Sequence, residues 1–225
     1  MRWVAVGLVC AVVVGGCGVI PADPVGVAST KAGAPTVAPV KAKAVSAAQA
    51  KRALLTLADM PPGWTREKPK PDDGDDDPVT PKRCAAVFDR IDQRKPLAEA
   101  KTSFTAGDLG PSLEHTVTGW PSSQVPVLKQ IARALKQCPK FTSRSKDGSS
   151  ITIQASALSF PNLGDRTLAF RMKARSRGIT IVLDAVYIAK GNNGIALVVV
   201  GLQPVRGATL VQVARVAVNR LDVTG

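Results

Sequence analysis

RTLAFRMKARSRGITIVLDAVYIAKGNNGIALVVVGLQ, residues 166–203, decides the fold. It contains three strand-length segments, 166–176, 179–190 and 194–203, separated only by Arg177-Gly178 and by Gly191-Asn192-Asn193. Links this short join strands as antiparallel hairpins, because a parallel connection needs a crossover of a dozen residues or more. A fourth segment, 150–160, precedes them across Pro161-Asn162-Leu163-Gly164-Asp165, so the four form a meander.

Within 168–175 the two faces of the strand differ. Leu168, Phe170, Met172 and Ala174 point one way, and Arg171, Lys173 and Arg175 the other, about 7 Å apart along the strand. The first set is a core face. The second is a row of like charges, read either as a site for an anionic ligand or surface or as solvated side chains. The next two strands are apolar on both faces: Val182, Val186, Ile188, Val198 and Val200 alternate with Ile181, Leu183, Tyr187, Leu197 and Val199. That second face is expected to be covered or to bind something.

Outward from this core, Ala208 to Leu221 has the spacing of a closing helix, with Leu210, Val213, Ala214, Ala217 and Leu221 toward the sheet. Upstream, 102–107 and 112–119 read as a hairpin around Asp108-Leu109-Gly110-Pro111. A helix capped by Ser122 or Ser123 carries Leu128, Ile131, Leu135 and Cys138 on one stripe. Another opens at Thr80-Pro81 and places Cys84, Val87, Phe88 and Ile91 on one face. The first helix follows Ser46, carries Ala50, Leu54 and Leu57, and ends at Pro61-Pro62-Gly63. The order ααββαββββα predicts an α+β fold: an antiparallel sheet of about six strands with helices packed on one face, in a single domain spanning 46–225.

The first 16 residues have the layout of a secretory signal, with Arg2, an apolar run from Trp3 to Val14 too short to span a bilayer, and small residues before a cysteine. Val14-Gly15-Gly16-Cys17 resembles the bacterial lipobox. That resemblance implies cleavage before Cys17, a diacylglyceryl anchor on its thiol, and residence at the outer face of the cytoplasmic membrane. Residues 17–45, with Pro21, Pro24, Pro35 and Pro39 and no apolar periodicity, read as a flexible tether reaching on the order of 30 Å.

Outside the reducing cytoplasm, Cys84 and Cys138 are expected to pair, since both lie on apolar helical stripes that could meet across a core. The formal net charge is +13, and loss of Arg2 with the signal lowers it by one. Anionic partners follow from this: lipid headgroups, a wall polymer or a small ligand, but not nucleic acid at that location.

No G-x-S-x-G, H-E-x-x-H, P-loop or dinucleotide fingerprint is present, so no catalytic residue, cofactor or metal site is assigned. The only histidine, His115, shares a face with Leu113 and Val117 and reads as a core residue. The acidic residues of 72–77 lack the glycine position and terminal glutamate of an EF-hand loop. Trp64 and Trp120 are read as packing over the core rim, with a ligand groove as the other reading.

Leu54-Leu55 with Asp59-Met60-Pro61, Cys84 opening a helix, a helix leading into Cys138-Pro139-Lys140-Phe141, Gly164-Asp165 before a strand, and Lys190-Gly191-Asn192 together resemble the PknH-like extracellular sensor domain family. The resemblance implies an antiparallel sheet with helices on one side, a ligand cleft and no catalytic residues. The chain departs from that pattern in lacking a second disulfide and a kinase domain. The resulting expectation is a lipid-anchored, non-enzymatic, sensor-like domain for an anionic or amphipathic ligand. A lipid or glycolipid carrier and a charge-based wall-binding accessory protein are the alternatives.

Overall fold

The computed structural model describes residues 43–68, 78–91, 95–107, 110–144 and 148–224. The signal over 1–16, Cys17, most of the tether and the acidic run 72–77 lie outside them. The helices are α1 (Ala47–Arg52), α2 (Lys82–Phe88), α3 (Val125–Gln137) and α4 (Gly207–Thr224), with a 3-10 turn at Leu57–Asp59. The strands are β1 (Thr65–Glu67), β2 (Val79–Thr80), β3 (Ala98–Thr105), β4 (Ser112–Gly119), β5 (Lys140–Arg144), β6 (Ser150–Ala157), β7 (Arg166–Ser176), β8 (Ile179–Lys190) and β9 (Asn193–Gly201).

All strands join one antiparallel sheet in the order β1-β3-β4-β9-β8-β7-β6-β5-β2. The meander is therefore present, and β4 docks on β9 to fuse it with the first hairpin. Arg177 and Gly178 both take positive φ, 47° and 79°. This is the conformation of a two-residue turn whose twist matches the flanking strands. It pairs Ser176 with Ile179 and fixes the register of the whole hairpin.

The sheet has nine strands rather than about six. The three unforeseen ones, β1, β2 and β5, are two to five residues long and lie at or beside its two edges. The first hairpin strand starts at Ala98, not 102. The first helix stops at Arg52, so Leu57 sits in the 3-10 turn and is exposed. Gln124, not Ser122 or Ser123, occupies the N-cap position of α3. Val45, at the end of the predicted tether, is buried, and its N–H donates to the Asn193 side-chain oxygen at 2.8 Å.

Helices cover both faces, not one. On the first face, α1 and α4 lie over β3, β4, β9 and β8, where Ala50, Leu210, Ala214 and Ala217 share a core with Phe104, Val117, Val186, Ile188 and Leu197. On the second face, α3 sets Val127, Leu128, Ile131 and Ala134 against Phe170, Ala185 and Ala189. Alternation explains why β8 needs both layers: its even residues face α1 and α4, and its odd residues face α3. The two covers are thus diagonal, and each leaves the opposite quarter of the sheet open.

Candidate anion-binding face

The open quarter on the α1 and α4 face spans β7, β6, β5 and β2. Arg171, Lys173 and Arg175 project there, opposite Leu168, Phe170 and Met172, which pack beneath α2 and α3. Across the ladder, Lys173 lies beside Gln154, and Gln154 beside Lys140. Arg175 lies beside Thr152, and Thr152 beside Thr142. Arg144 continues the β5 row. Lys140 and Lys173 are two strands apart, about 10 Å.

The three cations of β7 are not equivalent. Arg171 donates from Nε and a terminal nitrogen to both carboxylate oxygens of Asp184, at 2.6 and 2.7 Å. Asp184 is only 2 % exposed, so this fork is a structural ion pair. The hydrogen bond to Asp184 holds the guanidinium above its ordinary pKa, burial opposes this, and the nearby carboxylate charge adds to the rise. Lys173 and Arg175 are exposed, as are Lys140 and Arg144 across β6. Among the described residues no carboxylate pairs with any of these four. The candidate face therefore keeps Lys173 and Arg175 as exposed cations, has Arg171 as a paired border, and extends to Lys140 and Arg144.

Asp184 was within reach of the sequence. A two-residue turn at 177–178 pairs 176 with 179, and counting five residues back on each strand brings Arg171 opposite Asp184. Lys140 and Arg144 carried no such signal, because KFTSR is too short for its alternation to stand out beside Cys138-Pro139.

The remaining candidates fall elsewhere. Cys84 and Cys138 form a disulfide, with their Cα atoms 5.6 Å apart, tying α2 to the end of α3. His115 is fully buried on the α1 and α4 face, where its Nδ1 accepts the Leu55 backbone N–H at 3.1 Å. Burial pushes its pKa down from 6.5 to about 3, the charge of Arg220 adds to the depression, and Asp59 opposes it. Asp59 itself pairs with Arg220 at 2.6 Å. Burial pushes that carboxyl up, but hydrogen bonds from Thr56 and the contact with Arg220 outweigh it and leave it lowered.

Trp64 packs against the main core, as expected of the core rim, and Trp120 donates from its indole nitrogen to Thr118 at 2.8 Å. Among the described residues no three metal-ligating side chains come together. No helix among them is long and apolar enough to cross a membrane.

Sequence comparison finds no match, either to a family model or to a curated protein. Structural comparison does. The extracellular domain of PknH from Mycobacterium tuberculosis superposes with a TM-score of 0.58 over 81% of this chain and 97% of that one, at 13% identity. This chain has the PknH extracellular-domain fold. An uncharacterized protein from Mycobacterium smegmatis, the Rv0999 ortholog, matches more loosely, with a TM-score of 0.45 at 12% identity over 72% of this chain and 92% of that one.

Proposed function

We propose that this chain is a lipid-anchored, extracytoplasmic, non-catalytic sensor-like domain that binds an anionic surface or polymer through the open sheet quarter. The carrying observation is the surface of Lys140, Arg144, Lys173 and Arg175, with no acid on it among the described residues beyond the Asp184 already engaged by Arg171. Cations on β5 and β7, set apart by β6, suit negative charges that are themselves spaced, as on headgroups or a wall polymer. The shared fold with a domain described as extracellular supports the location, and the lipobox resemblance at Cys17 supports the anchor. The carrier reading loses ground, because α3 covers the second face of β8 and β9, packing on Leu183, Ala185, Tyr187, Ala189 and Val198.

Fatty-acid labelling that disappears in Cys17→Ala tests the anchor. In that unlipidated background, the triple reversal Arg144→Glu, Lys173→Glu, Arg175→Glu should weaken binding to phosphatidylglycerol vesicles at least tenfold more than Lys51→Glu, Arg206→Glu, Arg215→Glu. Co-sedimentation at fixed salt reads the difference. Equal losses would mean that only net charge matters and would remove the face as a site.

A further inference from the structure

We propose that α3 and the start of β7 form a second, discrete site for one compact tetrahedral oxyanion, a phosphate group, on the α3 side of the sheet. This goes beyond the role given to the open quarter, which lies on the other face.

Lys129, Arg133 and Lys136 stand at i, i+4 and i+7 of α3, a helix with no acidic residue. Arg166, the first residue of β7, reaches the same hollow. Together with Ala132 these four cations line a cavity of about 150 Å³. Like charges at such helical spacings repel one another. No carboxylate among the described residues pairs with any of the four, and the nearest in sequence, Asp165, instead accepts the Gly191 backbone N–H at 2.7 Å.

The second observation is independent of charge counting. The Nε of Arg166 is buried and has no hydrogen-bond acceptor among the described residues. A guanidinium N–H removed from water without a partner is costly, and a turn of the Arg166 side chain toward an oxyanion in the hollow relieves that cost. Two arginines and two lysines lining one hollow suit the several oxygens of a phosphate, since arginine forks bind such oxygens in pairs. The volume sets the size of the occupant. It falls below the roughly 300 Å³ at which sites for drug-sized ligands begin, which favours a small anionic group over an acyl chain or a nucleobase.

The test titrates inorganic phosphate into the unlipidated Cys17→Ala chain and follows saturable amide shifts, with phosphatidylglycerol vesicles as a second arm. Arg133→Gln and Arg166→Gln should each weaken the response in at least one arm about tenfold. Lys173→Gln with Arg175→Gln should leave phosphate binding unchanged. A response to free phosphate that vesicles do not compete away assigns a soluble phosphate, and one confined to vesicles assigns a headgroup. Arg133 is exposed, so its variant stays folded even if Arg166→Gln does not. Binding in both arms that is indifferent to Arg133→Gln, or the absence of saturable binding in either arm, overturns the proposal.

Discussion

The two helical layers are fastened to one sheet by different means. The α1 and α4 layer lies on a broad apolar floor running from Phe104 and Leu113 to Ile188 and Leu197, reinforced by the Asp59 and Arg220 pair. The α2 and α3 layer rests on smaller clusters, and α2 is only seven residues long. There the Cys84 and Cys138 disulfide joins the helices directly, at the point where Phe88 meets Phe141 edge to face. Where apolar contact is short, a covalent link limits the freedom of the unfolded chain instead. The quarters left open also differ. On the second face, Lys101 lies 3.4 Å from Glu99 and 3.9 Å from Glu114, so that surface neutralises itself. On the first, the exposed cations stand without acids among the described residues, and this asymmetry is what singles it out as the candidate binding face.

Removing the disulfide is the most severe way to break the comparison. Cys84→Ser with Cys138→Ser opens a link across 54 residues, worth about 4 kcal/mol in the chain-entropy model. The melting temperature should fall roughly 10 °C. Amide exchange should accelerate over Lys82–Phe88 and Val125–Gln137 well before it does over α4, and uniform acceleration would show that the two layers depend equally on the bond.

The Arg171 and Asp184 fork gives a somewhat smaller effect. Arg171→Met strands a buried carboxylate and should cost about 3 kcal/mol, near the lower end for buried pairs because Arg171 keeps some contact with water. Asp184→Asn should cost less, since the freed arginine can turn outward. The double variant Arg171→Met, Asp184→Leu should recover most of the loss in chemical denaturation. A double variant as unstable as Arg171→Met would mean that packing, not charge, is lost.

Much of this arrangement was legible in the sequence, and the limits have physical causes. The turns Arg177-Gly178 and Gly191-Asn192-Asn193 gave the meander, and the alternation of 168–175 gave both its core face and its cations. Apolar residues on both faces of 181–200 meant that the second face was either covered or bound something. Nothing in a strand's alternation says which helix supplies each cover, so helices were expected on one face only. β1 and β2 have too few residues for a periodic signal, and they exist because β3 and β5 offer them free edges. The unequal roles of the three cations came down to Asp184, whose position opposite Arg171 follows from register and not from the β7 segment read alone.

The mildest perturbation concerns the α1 and α4 layer, at His115. Its imidazole is fully buried and accepts the Leu55 N–H, which requires the neutral ring with the proton on Nε2. The folded pKa is depressed from 6.5 to about 3, with burial as the leading cause. Below pH 6.5 the unfolded chain binds a proton that the folded chain refuses. The stability tied to this group is therefore complete above pH 6.5 and is lost progressively as the pH falls toward 3. The slope from one such group is at most about 1.4 kcal/mol per pH unit. A glutamine in its place retains an acceptor for Leu55 and cannot titrate, so His115→Gln should cost about 1 kcal/mol at neutral pH and flatten the decline between pH 6.5 and 4. Because the variant loses less on acidification, its denaturation midpoint should approach that of the wild type as the pH falls. Parallel curves across that range would mean that the folded ring takes up a proton as readily as the unfolded chain does, and that the layer over His115 admits water.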